Sequence, residues 1–133
     1  MPANRSGERR VNRPGPSTFQ KGRHAEALAR RTLECAGVLI LDQNFRCPAG
    51  ELDLIGDHGG ILCFVEVRSR TDETLGAPEE TVDARKRSRI RAAARAWLCT
   101  REDLGARACR FDVVAVVGEG ESAEIRWIPA AFD

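Results

Sequence analysis

The spacing of apolar residues along the chain predicts two amphipathic helices. In residues 18–36, alanines and leucines recur every three or four positions and form one apolar stripe, which ends at Gly37. A second stripe predicts another helix over residues 80–100. Its core positions are Ile90, Ala93, Ala94, Trp97 and Leu98.

The segments around the second helix have the patterns of strands and turns. Asp57-His58-Gly59-Gly60 is a hairpin turn signal between two β-rich runs. In the first of these runs, alternation places Leu52 and Leu54 on one face and Asp53 on the other. The order α-β-β-β-α-β predicts an α/β fold, with helices flanking a mixed central sheet. The predicted strands cover residues 38–46, 51–56, 61–69, 107–118 and, as an edge strand, 124–129.

The amino-acid composition predicts the domain boundaries and the cellular compartment of the protein. Residues 1–16 are polar, basic and proline-rich, so we expect a disordered basic tail followed by one domain over residues 17–133. Neither a membrane span nor a signal peptide is evident, and five cysteines without Cys-x-x-Cys spacing indicate reduced thiols. We therefore expect a cytoplasmic protein, with Cys35, Cys63 and Cys99 in apolar surroundings.

Charge is unevenly distributed although the net charge is only +1. Residues 1–31 carry eight Arg or Lys against two acids, residues 42–83 carry ten acids against three Arg, and residues 85–95 carry six basic residues and no acid. An acidic cluster between basic segments suits a metal site beside a phosphate-binding surface. Two solvated helix faces would give the same counts.

Two carboxylates occupy positions where charge is costly. Glu66 lies between two valines in an apolar strand, and Asp53 lies between two leucines in the strand before it. Because a hairpin joins these strands, Asp53 should lie near Glu66 and Arg68, which share a face. This group favours Mg²⁺ or Mn²⁺ held by Asp53 and Glu66, with Arg68 stabilising charge on a phosphodiester. The alternative is a purely structural ion pair between Asp53 or Glu66 and an arginine.

Each helix adds one candidate to this site. Glu26 flanks the apolar stripe of the first helix, where the alternative is an ordinary surface pair with Arg30. Lys86 continues the core stripe of the second helix, so it either reaches the site or extends to water. Lys86, unlike Arg68, can act as a base. The other basic residues of this helix are candidates for backbone contacts to nucleic acid: Arg85, Arg87, Arg89, Arg91 and Arg95.

Six sequence blocks follow one another between about residues 20 and 118. They are Gly22-Arg23-His24-Ala25-Glu26, Asn44-Phe45-Arg46, Gly50-Glu51-Leu52-Asp53-Leu54-Ile55, Phe64-Val65-Glu66-Val67-Arg68-Ser69-Arg70, Lys86 with Arg89, and Arg110-Phe111-Asp112-Val113-Val114. These blocks, in this order, resemble the bacterial YraN-type family of small proteins, which is assigned to the PD-(D/E)xK nuclease-like superfamily.

The resemblance implies a restriction-endonuclease-like αβββαβ core, similar to archaeal Holliday-junction resolvases. It also implies a hydrolytic, metal-dependent site made of Glu26, Asp53, Glu66 and position 68, where Arg68 replaces the superfamily lysine. Asp112 is expected to pair with an arginine. Resolvase-like relatives work as dimers, so a homodimer is also considered. The predicted nucleic-acid contacts are Arg23, Arg70, Arg85 and Arg89.

Three functions are therefore compatible with the sequence. The first is a Mg²⁺-dependent endonuclease acting on branched or otherwise non-standard DNA. The second is a nucleic-acid-binding module on the same fold whose site has lost catalysis, as Arg68 would indicate. The third is a protein-binding adaptor whose acidic cluster is held by salt bridges alone.

Overall fold

The computed structural model describes residues 18–70, 82–118 and 120–133. The predicted tail at residues 1–16 lies outside this part of the chain, as does the start of the predicted second helix. Among the described residues, no helix is both long and apolar enough to cross a membrane.

In the described residues, two α-helices and five strands form the fold. The strands make one sheet in the order β1-β2-β3-β4-β5, in which β3 and β4 run parallel and all other neighbours run antiparallel. The parallel pair needs the crossover that contains α2, so the predicted mixed sheet is confirmed. The elements are α1 (Thr18–Cys35), β1 (Leu39–Cys47), β2 (Gly50–His58), β3 (Ile61–Arg70), α2 (Ala84–Cys99), β4 (Cys109–Val117) and β5 (Glu124–Phe132).

The sheet is buried on two faces by two separate apolar clusters. The cluster with α1 contains Ala29 and Leu33, whereas the cluster with α2 contains Ile90 and Trp97. β3 contributes alternate residues to each cluster, which explains why its sequence is apolar on both faces. The central strand can therefore carry a charge only where a partner meets it.

Helix α2 begins later than the sequence pattern indicates. Asp83 has extended backbone dihedrals, and its side chain accepts a hydrogen bond of 2.8 Å from the Lys86 amide. This is an N-cap, because it satisfies one of the free amides of the first turn. Val82 and Asp83 are not helical, so α2 starts at Ala84.

Two predicted environments are wrong. Leu52 packs in the cluster with α2, but Leu54 packs in the cluster with α1, so the two leucines do not share a face. The neighbouring β1 residue Asn44 has a positive φ of 54°, so the two-residue alternation is interrupted here.

Cys63 is buried as expected, whereas Cys35 and Cys99 are exposed. All five cysteines are free.

Asp112 of β4 is fully buried and hydrogen-bonded on both oxygens. Its Oδ1 accepts from Arg110 Nε at 2.9 Å and from the Ala130 amide at 3.0 Å. Its Oδ2 accepts from Arg110 Nη2 at 3.0 Å and from Trp127 Nε1 at 2.9 Å. The predicted pairing of Asp112 with an arginine is confirmed. This network ties β5 to the sheet.

Candidate functional site

Glu66 is the centre of the candidate site. It lies in β3 with only 6% of its side chain exposed, on the same face as Phe64, which packs under α2. Its Oε2 is 3.4 Å from Arg68 Nη1 and 3.4 Å from Lys86 Nζ. A carboxylate buried to this degree needs such cations, because an unpaired charge is strongly disfavoured away from water.

Lys86 reaches the sheet because of where α2 starts. The N-cap at Asp83 places Lys86 in the first turn of α2. Lys86 lies one turn before Ile90, which is buried against the sheet, so its aliphatic part follows the apolar stripe. Of the two possibilities that the sequence left open, the structure therefore shows the one in which Lys86 reaches the predicted site.

Asp53 lies beside Glu66 on the neighbouring strand β2. Its Oδ2 accepts a hydrogen bond of 2.8 Å from the Val67 amide. Burial and, after it, the negative charge of Glu66 raise the pKa of Asp53 to about 8, and the Val67 hydrogen bond opposes this shift. The two carboxylates therefore repel each other, and a proton or a metal ion would relieve that repulsion further than Arg68 and Lys86 do.

Glu26 of α1 is electrostatically linked to the same cluster. It is half-buried, and desolvation raises its pKa, while a hydrogen bond from the Asn44 side chain lowers it. The charge of Glu66 also contributes to the upward shift. The alternative pair with Arg30 is wrong, because Arg30 binds Glu34 and Gln43 instead.

Asn44 is a site neighbour that the sequence analysis did not assign to the site. It belongs to one of the blocks behind the family resemblance, but its contact with Glu26 spans two elements. The signal in the sequence is weak: asparagine is among the few residues that adopt a positive φ readily. Its φ of 54° fits that signal.

The residues present fit a hard divalent cation. Asp53 and Glu66 offer carboxylate oxygens, which Mg²⁺ prefers, and their mutual repulsion would be relieved by a bound cation. No group of three or more His, Cys, Asp or Glu in the described part of the chain is arranged to hold a metal ion by itself. Water, a backbone carbonyl or a substrate oxygen would have to complete the coordination, as is usual for Mg²⁺.

The four arginines predicted to contact nucleic acid differ in their surroundings, and the charge of Arg23 opposes the rise in the pKa of Glu26. Arg23, Arg85 and Arg89 are exposed on the helices. Arg70 ends β3 on the face of Glu66 and Arg68, and its Nη1 is buried without a hydrogen bond to any described residue. The structure therefore brings Glu26, Asp53, Glu66, Arg68 and Lys86 together and leaves these arginines around them.

The fold and this cluster define a small α/β protein whose mixed sheet carries an acid–cation site between two helices. The chain belongs to the uncharacterised protein family UPF0102, whose family model matches residues 25–116. The matched segment includes the five clustered residues. Membership in this family confirms the family resemblance predicted from the sequence blocks.

Curated relatives agree with this assignment over most of their length. A UPF0102 protein from Pseudomonas savastanoi is 41% identical over 121 residues, which covers 90% of this chain and 98% of that protein. One from Anaeromyxobacter dehalogenans is 50% identical over 113 residues, covering 84% and 83% of the two chains. A third, from Moorella thermoacetica, is 46% identical over 97 residues, covering 73% and 80%.

Proposed function

We propose that this protein is a Mg²⁺-dependent endonuclease that hydrolyses phosphodiester bonds in branched or otherwise non-standard DNA. The observation that carries the proposal is the packing of Asp53 against Glu66, with Arg68 and Lys86 both 3.4 Å from the Glu66 carboxylate. A structural ion pair needs one acid and one cation. The second buried acid adds repulsion that a purely structural pair does not require.

Asp53 and Glu66 would hold the metal ion, with the Val67 carbonyl as a third oxygen. The ion would polarise the phosphodiester and lower the pKa of a bound water. The raised pKa of Asp53 means that this carboxyl must lose a proton before it can bind the ion. Mn²⁺ should substitute, since it takes similar oxygen ligands.

The neighbouring side chains would act on water and on phosphate charge. The Lys86 ammonium and the Arg68 guanidinium are held toward the cluster by Glu66, so each can donate hydrogen bonds to phosphate oxygens as negative charge develops on them. Glu26 would hold a water molecule at the α1 side, oriented by its hydrogen bond to Asn44. These roles require no movement of the sheet.

The proposal is tested by cleavage of labelled duplex, single-strand, flap and four-way-junction DNA with Mg²⁺ or Mn²⁺. Glu66→Gln keeps the shape of the side chain and removes its charge, so cleavage should fall at least ~100-fold, the scale of losing a positioned catalytic group. Glu124→Gln is the matched control, because Glu124 is exposed and pairs only at the surface. Cleavage that survives equally in both variants would refute the assignment.

Arg68 favours a second candidate, a nucleic-acid-binding module that does not cut. The resemblance implies lysine at this position, and arginine keeps its proton and cannot serve as a base. Under this candidate the wild type retards DNA in a gel but leaves every substrate intact. Arg68→Lys should then gain cleavage if the rest of the site is competent. If it gains none, arginine at position 68 is not what prevents cleavage.

A further inference from the structure

A cavity opens beside the candidate site, between the β1–β2 turn and the first two turns of α2. Its volume is about 310 Å³, at the small end of the range of ligand pockets. Arg46, Cys47 and Glu51 line it from the hairpin, and Lys86 and Arg89 line it from the helix.

The lining has an excess of positive charge. Arg46 Nε is 3.3 Å from Glu51 Oε2, and Lys86 is shared with Glu66 outside the cavity. The guanidinium of Arg89 forms no ion pair or hydrogen bond with any other described residue, and the residue is exposed. Three cations against one acid among the described lining residues favour an anionic ligand.

The wall of the cavity is fixed by backbone contact. A Cβ atom added at Gly50 would lie 2.8 Å from the carbonyl oxygen of Arg89, so only glycine permits the turn to approach α2 this closely. Lys86 separates the cavity from Glu66, to which it is ion-paired. An anion in the cavity therefore lies next to the carboxylate cluster and shares Lys86 with it.

We propose that this cavity is a subsite for a backbone phosphate of a nucleic acid strand, next to the phosphodiester presented to Asp53 and Glu66. The proposal rests on the proposed function for the position of the neighbouring phosphate. A base is a poorer occupant, because no aromatic ring of the described residues lines the cavity and base binding usually uses stacking. Arg89 supplies a positive charge that no described acid pairs with, and Arg46 and Lys86 add two further cations to the lining.

The test is the salt dependence of binding, measured by anisotropy of a labelled single-stranded oligonucleotide in EDTA so that cleavage is absent. Arg89→Gln should weaken binding severalfold at low salt and reduce the slope of log affinity against log salt by about 0.7, the value for one lost phosphate contact. Arg126→Gln is the matched control, because Arg126 is exposed on β5, at the opposite edge of the sheet from β1, and does not line the cavity. An Arg89→Gln slope equal to that of the wild type overturns the subsite.

A second measurement locates the phosphate. Single phosphates of the oligonucleotide are replaced in turn by uncharged methylphosphonates. One position should weaken binding to the wild type but have little further effect on Arg89→Gln. If every position affects both proteins equally, no phosphate occupies the cavity and the subsite is refuted.

Cleavage assays separate this inference from the proposed function. If the wild type cuts DNA and Arg89→Gln keeps the wild-type salt slope, the proposed nuclease function stands and the subsite is refuted. If the wild type does not cut DNA but Arg89→Gln shows the reduced slope, the subsite stands and the nuclease function is refuted. Wild-type protein that binds no oligonucleotide at low salt overturns the subsite whatever the cleavage assay shows.

Discussion

Replacing Asp112 by alanine should be among the most destabilising single changes in this protein. Asp112 is fully buried and accepts four hydrogen bonds, two from Arg110 and one each from the Trp127 indole and the Ala130 amide. The alanine variant leaves all four donors without this acceptor. Two of those donors belong to the charged guanidinium of Arg110, which has only 17% of its side chain exposed.

The loss of unfolding free energy can be worked out from the donors that remain unpaired in the alanine variant. Removing one partner of a buried ion pair typically costs about 3–5 kcal/mol, because the other charge stays uncompensated. The indole and the amide add about 1–3 kcal/mol each if they stay unsatisfied, less where water reaches them. We expect a loss of about 4 kcal/mol from the ion pair alone, a large part of the ~5–15 kcal/mol that stabilises an ordinary domain.

Urea unfolding followed by circular dichroism measures this loss. With a slope of about 2 kcal/mol per molar urea, the midpoint should fall by roughly 2 M while the slope itself is unchanged. The control is Glu124→Ala, which removes an exposed ion pair with Arg126 and should cost less than ~1 kcal/mol. If Asp112→Ala unfolds within about 1 kcal/mol of the wild type, the four bonds do not hold β5 as described.

Three further predictions concern other contacts. Gly50→Ala should lose about 1–3 kcal/mol in urea unfolding, because its methyl group meets an α2 carbonyl at 2.8 Å, whereas Gly105→Ala, with nothing nearer than 3.8 Å, should change little. Asp83→Ala should lose about 1 kcal/mol and shorten α2 by circular dichroism, and an unchanged stability would contradict the N-cap. The hydrogen bond from Arg107 lowers the pKa of Asp57 in the folded protein. The contact between Arg107 and Asp57 therefore stabilises the fold above the pKa that Asp57 has in the unfolded chain, and this stabilisation is lost as the pH falls through the pKa of Asp57 in the folded protein. Arg107→Gln should raise the Asp57 pKa in an NMR titration, and an unmoved titration curve would exclude this interaction.

The features that the sequence predicted well are those set by local geometry. The helical stripe of α2 predicts that Ile90 and Trp97 are buried, and both are. The two-residue period predicts that Glu66 and Arg68 share a face, and their side chains are 3.4 Å apart. The hairpin between β2 and β3 then brings Asp53 close, because a short turn leaves little freedom in which strands pair.

The features that it missed depend on backbone exceptions and on contacts between distant segments. Nothing in a period of two indicates that Leu52 and Leu54 pack on opposite sides, since that follows from a local departure near Asn44. The bond between Asn44 and Glu26 joins β1 to α1. The cavity likewise needs the close approach of Gly50 to α2, which only the assembled fold defines.

Position 68 shows why the fold cannot by itself decide between a cutting and a non-cutting protein. Glu66 needs cations because it is buried, and Arg68 and Lys86 both meet that need at 3.4 Å. A lysine at position 68 would meet it as well, so folding places little constraint on which cation stands there. Hydrolysis that uses the side chain at position 68 as a base does distinguish lysine from arginine, because arginine does not give up its proton. The choice of arginine therefore affects the chemistry and leaves the architecture intact, and a cleavage comparison of the wild type with Arg68→Lys separates the two functions where stability measurements cannot.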